Sequence, residues 1–384
     1  MRVLVVSGIW PPDVGGPASH APEVAEFLRE RGHQVEVVTT ADASPPVRPY
    51  PVHAISRSLP KGPIHVRTML EVARRAARAD VVYTTGMFGR SAAGATLARR
   101  PYVVKLTADP AFERARRRSI VDGTIDEFQR ARGAMSVRVL RLARDVELRR
   151  AAHVFTPSAY LRELTVSWGV RADRVTVLPN PAPAVPPLPE LRPRDELRAE
   201  LGLDGPTLAF AGRLTAQKSL EVALDALAGL PGVAVVLAGE GGERERLQRH
   251  AAAIGLGERV RFVGPLPRER VLELFRAADA AVLSSSWENF PHGVVEALAV
   301  GTPVISTAAG GVAEVVRDGE NGLLTPVGDA AAFEAAIRRF LDDAPLRDRL
   351  RAAAAASVSE YARDRIFGRL EEALLRAGGR TRAQ

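Results

Sequence analysis

Short apolar runs recur along the chain. Each breaks off into glycine or polar residues and is followed by a stretch with helical spacing. Arg2–Ser7, Gln34–Thr39, Asp80–Thr85, Pro101–Thr107, His153–Thr156 and Val175–Leu178 form a first series. Thr207–Ala211, Val233–Ala238, Val260–Val263, Ala280–Leu283 and Pro303–Ser306 form a second. The runs are mostly uninterrupted and rich in valine, as expected of strands buried on both faces of a parallel sheet. Between them lie helical patterns such as Ala18–Arg31, closed by Gly32. Alternating strands and helices predict an α/β protein with doubly wound parallel sheets. The proline-rich stretch Pro179–Pro189 separates the two series and reads as an extended linker. It divides the chain into a domain at 1–180 and another at 181–358, followed by a terminal helix over Ser359–Ala377 within 359–384. A length of 384 residues suits two such domains.

Ligands of open α/β sheets bind beyond the carboxyl ends of the strands, so the loops there hold the candidate chemistry. After Ala280–Leu283 comes Ser-Ser-Ser-Trp-Glu, with Glu288 in the loop and Glu296 inside a helix starting near His292. After Pro303–Ser306 come Gly310-Gly311 and a short helix with Glu314. After Thr207–Ala211, Arg213 and Lys218 flank a helix start. Two cations beside a helix N-terminus form a diphosphate clamp. Gly239–Gly242 and Gly264-Pro265-Leu266 end two more strands. In the amino-terminal half, Gly15-Gly16 stands before the first helix. Its spacing is not GxGxxG, which argues against a nicotinamide or flavin site, and turn chemistry explains the pair equally well.

Composition narrows the picture. Of 53 basic residues only Lys61, Lys105 and Lys218 are lysine. A lysine among so many arginines is either wanted as a compact point charge or a chance survivor; Lys61, in a turn-like Pro-Lys-Gly-Pro, reads as the latter. The net charge of +8 favours anionic partners. Nucleic acid is not among those expected, since no helix-turn-helix, RNP or zinc spacing accompanies the charge. The seven histidines lack ligand spacing and no cysteine is present, so no metal site is expected. The start reads as a strand and not as a signal peptide, and no apolar run reaches the ~20 residues of a membrane span. The expected location is cytoplasmic.

Two segments admit two readings each. Asp109 reads as the N-cap of a helix Pro110–Arg117, with proline at its first position, and, compatibly, as a catalytic group in the cleft that contacts acceptor or donor sugar. The arginine-rich segment 112–150, with apolar Met135, Val139, Leu142 and Val146 along one face, is either a solvated surface helix or a peripheral contact with the inner face of a membrane.

Glu288-x7-Glu296, EALAVGTPVI, GGVAEVVRDGENGLL and Arg213-x4-Lys218 together resemble the retaining glycosyltransferases of family GT4. That resemblance implies a GT-B fold, two facing Rossmann-like domains with a deep cleft between them. The first domain would bind the acceptor, the second the nucleotide sugar, and the last helix would cross back to the first. It implies hexose transfer from a UDP or GDP sugar, without cofactor or metal, to a sugar, lipid-linked or small-molecule acceptor. Arg213 and Lys218 would hold the diphosphate. Glu288, with Asn289, Phe290, Pro291, His292 and Gly293, would hold the sugar, and Glu296 the ribose. Gly239 and Leu266 would bound the base, and Gly15 and Gly16 would face the phosphate. The chain departs from the family where many members place a histidine after Pro101–Thr107; here Thr107, Ala108 and Asp109 stand instead. A nucleotide-sugar epimerase, or a non-catalytic scaffold that binds nucleotide sugar, are the alternatives.

Overall fold

A computed structural model describes residues 1–13, 16–121, 125–130 and 133–379. The chain divides into two compact units, Met1–Pro179 with Asp364–Gln384, and Asn180–Arg363.

The first unit is built on a seven-stranded parallel sheet. Its strands are β1 (Arg2–Ser7), β2 (Gln34–Ala41), β3 (Val52–Ser56), β4 (Val81–Thr84), β5 (Tyr102–Lys105), β6 (His153–Thr156) and β7 (Val175–Val177), in the order β3-β2-β1-β4-β5-β6-β7. The central strands carry the valine-rich runs, and Val3–Val6 of β1 are buried between β2 and β4. The edge strand β3 is an addition to the sequence reading. Only its Ile55 is buried, so it lacks the continuous apolar signature of its neighbours.

The first helix runs over Gly16–Glu30, two residues ahead of the expected start. Lys61 does not sit in a turn: it opens the helix Lys61–Ala76, behind Pro60. The arginine-rich segment is three helices, Pro110–Arg117, Ile125–Arg130 and Met135–Arg149. The terminal helix Arg363–Ala377 packs on the first unit, with the Phe367 ring 5.7 Å from that of His20 and 5.5 Å from that of Phe27. Residues Ala356–Tyr361 form a separate 3-10 segment in the second unit.

The second unit holds a six-stranded parallel sheet of β8 (Thr207–Ala211), β9 (Ala234–Ala238), β10 (Val260–Gly264), β11 (Ala280–Leu283), β12 (Val304–Thr307) and β13 (Gly322–Thr325). Their order is β10-β9-β8-β11-β12-β13. This is the Rossmann order, and the direction of winding reverses between β8 and β11. Gly310–Glu314 is a 3-10 turn and not the short α-helix expected around Glu314. Among the described residues no helix is long and apolar enough to cross a membrane.

Candidate functional site

The loops after β8 and β11 emerge side by side at the point where the second sheet reverses, and hydrogen bonds tie them together. Gln217 O accepts from Ser286 N at 2.9 Å and from Ser286 Oγ at 3.1 Å. Gln217 Nε2 donates to Trp287 O at 2.9 Å, and Ser284 Oγ to Lys218 O at 3.1 Å. Two short polar side chains and one amide thus fix the backbone that presents Lys218 to the backbone that presents Glu288. Sequence reasoning named the charged residues and missed Gln217, Ser284 and Ser286.

Lys218 Nζ donates to Glu288 Oε1, and Ser285 Oγ donates to the same oxygen at 2.8 Å. Glu288 and Ser285 are buried, while the Lys218 side chain keeps 19% of its exposure. The turn after β12 holds Glu288 from behind: Gly311 N donates to Glu288 O at 2.9 Å. A side chain on Gly310 would put its Cβ 2.2 Å from that carbonyl, and its φ of +53° is left-handed, so both sterics and backbone require glycine there.

At the end of β8, Gly212 turns the chain and Arg213 follows it directly, with its side chain exposed. The Arg213 guanidinium makes no hydrogen bond or ion pair among the described residues. A cation without a partner among the described residues, in the same loop as Lys218 and at the reversal of a doubly wound sheet, is an arrangement suited to an anionic ligand.

The segment after Glu288 is mostly packed inward: Asn289, Phe290 and Pro291 are buried. The Phe290 ring meets Tyr361 edge-on at 5.9 Å. The helix His292–Ala299 follows. His292 N donates to Phe290 O, and the amides of Val294 and Val295 share Pro291 O. Gly293 N has no acceptor among the described residues, which leaves one donor at the helix start. A Cβ on Gly293 would lie 3.2 Å from Ala211 O, so the helix start sits close against the end of β8. His292 Nε2 lies 3.0 Å from Asn180 Nδ2, a partner 112 residues away that the sequence did not disclose.

Glu296 lies one turn into this helix, and Arg268 Nε is 3.6 Å from its Oε1. Burial pushes the Glu296 carboxyl above its ordinary pKa, and Arg268 opposes the shift. Gly239 N donates to Gly264 O at 2.7 Å, and Gly212 N to Ala238 O at 2.9 Å, so the loops after β8, β9 and β10 are laced together. Gly239 has φ +142°, and its Cβ would fall 1.8 Å from Gly212 O. Its need for glycine comes from the neighbouring loop. Leu266 is half-buried just past β10.

In the first unit, Gly16 is the first residue of its helix, and Gly15 lies outside the described residues. Asp109 caps the helix Pro110–Arg117, accepting from Ala111 N at 2.8 Å. Its other oxygen accepts from Arg144 Nη1 and from Gln129 Nε2, both at 2.8 Å. Arg144 in turn lies 3.8 Å from the Trp168 ring centroid. Asp109 has no exposed surface. The capping expectation holds; a direct sugar contact does not fit this arrangement, because both carboxylate oxygens are taken up inside the unit.

Relatives of known kind share this architecture. A family model for group 1 glycosyl transferases matches residues 193–357, and one for glycosyl transferase 4-like domains matches 15–181. Glycogen synthase of Mycobacterium tuberculosis is 31% identical over 389 residues, covering 94% of this chain and 91% of that protein. The lipopolysaccharide core biosynthesis glycosyltransferase LpsE of Rhizobium meliloti is 38% identical over 156 residues, 41% of this chain and 45% of that relative's length. The crystal structure of Anabaena HepE in complex with UDP has a TM-score of 0.79 at 22% identity, covering 97% of this chain and 99% of that one. At that identity the likeness establishes the fold, GT-B, built of two Rossmann-like domains. On the two family matches and the full-length relative, this chain belongs to the group 1 glycosyl transferases.

Proposed function

We propose that the chain is a retaining hexosyltransferase that draws on a nucleoside diphosphate sugar, UDP-glucose or a related UDP or GDP sugar, and needs no metal ion. The observation that supports this reading best is Arg213, without a partner among the described residues, in the same loop as Lys218 at the reversal of the second sheet. In the reaction the bond from the sugar's anomeric carbon to the diphosphate breaks, and a new one forms to the acceptor hydroxyl on the same face. The acceptor proton passes to the departing phosphate oxygen. Negative charge grows on the diphosphate as the bond breaks, and Arg213 and Lys218 stabilise it where a metal would otherwise stand. Glu288, held by Ser285 and Gly311, accepts from sugar hydroxyls once Lys218 turns to the diphosphate. The Gly293 amide donates to the same sugar, and Glu296 accepts from the ribose.

The acceptor is a hydroxyl of a glycan, a lipid-linked sugar or a small glycoside. HepE has been crystallised with UDP-glucose, which makes that donor the first to try. The test is thermal stabilisation by UDP, GDP and ADP and their glucose conjugates, with chelator present. A bound nucleotide adds ~2.7 kcal/mol of stability at a hundred times its dissociation constant. A shift for one base, larger with its sugar, is the expected result. No shift with any nucleotide, or a shift only when divalent metal is restored, would overturn the reading.

A further inference from the structure

The helix Met135–Arg149 has two apolar faces where one would suffice. Val137, Leu140 and Leu148 are buried, and Arg144 goes inward with them to meet Asp109. That buried pair fixes the rotation of the helix. It leaves Met135 (70% exposed), Val139 (57%), Leu142 (63%) and Val146 (39%) on the outside. At about 100° per residue these four fall within a sector of roughly 60°. Arg138 and Arg149 border one side of the stripe and Arg150 the other, and all three are exposed. Arg138 and Arg150 make no side-chain hydrogen bond or ion pair among the described residues. Asp145 and Glu147, the helix's own acids, are matched by Arg144 and Arg114.

A helix on the surface of a protein that meets only water places charged or polar residues on its outer face. Here that face is apolar along its centre and cationic along both margins. We infer that the outer face of Met135–Arg149 docks on an anionic lipid surface. The four apolar side chains enter the headgroup boundary and the flanking arginines meet lipid phosphates. Charge complementarity selects this occupant. A phosphate backbone would leave the apolar stripe unmatched. A second copy of the chain would bring its own arginines against these, and one narrow stripe falls short of the roughly 800 Å² per partner of a stable interface.

Flotation of the full chain with vesicles tests the proposal independently of the donor reading. Binding to phosphatidylglycerol–phosphatidylcholine vesicles is expected, with little binding to phosphatidylcholine alone and a marked loss at high salt. The triple variant Val139→Ser, Leu142→Ser, Val146→Ser should lower partitioning about tenfold or more. Arg138→Glu with Arg150→Glu should do so through charge. Unchanged melting temperature in the variants establishes that they fold. No binding to anionic vesicles, binding that survives both sets of substitutions, or self-association of the wild type that the triple variant abolishes would each overturn the proposal.

Discussion

The two units reverse their winding in the same way, between β1 and β4 in one and between β8 and β11 in the other, yet they treat polar groups oppositely. Beside β1, Ser7 Oγ donates to Ile9 O at 2.6 Å and Thr40 Oγ1 to Gly8 O at 2.8 Å. Asp13 is paired with Arg57, whose hydrogen bond holds its carboxyl below the usual range. Lys105, at the end of β5, is fully buried and donates to Leu178 O. Beside β8, by contrast, Arg213 has no partner among the described residues, and Lys218 is partly exposed with Glu288 as its partner. Both units have a reversal of winding, the kind of place where open α/β sheets bind ligands. Charge that the fold has not already neutralised distinguishes the reversal in the second.

That contrast is broken or sharpened most strongly by comparing Asp109 with Lys218. Asp109→Ala removes one of the two carboxylates that buried Arg144 meets, leaving Asp145, and uncaps the helix Pro110–Arg117; it should lower stability by about 3 kcal/mol. Denaturant unfolding checks this, and a loss under about 1 kcal/mol would mean that the pair is not what holds the helix. Lys218→Ala should instead lower kcat by about 10²–10³-fold with a smaller change in melting. Near-normal turnover would remove Lys218 from the chemistry. Gly310→Ala forces a left-handed residue against the Glu288 carbonyl, at a cost of about 1–3 kcal/mol. It should raise the KM for donor, which initial-rate kinetics would register.

Two further effects are those of pH. Burial raises the Glu296 pKa, so the carboxylate that would meet the ribose is lost as pH falls through that raised value. Donor affinity should weaken towards acid, and Glu296→Gln should bind less well but without that dependence. The Lys105 pKa shifts in the opposite direction. Burial, assisted by Arg369, pushes its pKa from 10.5 down to about 7. The folded state gives up that proton before the unfolded state does, so its burden on stability is full below about pH 7 and fades as pH rises towards 10.5. Lys105→Met should flatten that slope in pH-dependent melting.

Much of this was legible because parallel strands buried on both faces must be apolar throughout. The same reasoning missed β3, a half-exposed edge, and β13, which opens on Gly322 directly after a loop. Arg213, Lys218 and Glu288 stood out because charge follows a strand end at each. Which of them pair did not. Lys218 and Glu288 are 70 residues apart, Asn180 and His292 112, and Asp109 and Arg144 35. No local pattern encodes such pairs, since they arise only when the fold brings distant segments together. The outward turn of Met135, Val139, Leu142 and Val146 was hidden for a related reason: Arg144, a charged residue, takes the inward place.

The most direct measurement is a calorimetric titration of UDP and of uridine in chelator, repeated with the Arg213→Ala, Lys218→Ala double variant. UDP should bind the wild type at least a hundredfold more tightly than uridine, about 2.7 kcal/mol, and the double variant should lose most of that difference. Equal affinity for the two ligands, or a preference for UDP that survives the loss of both cations, would contradict the claim that these residues hold a diphosphate.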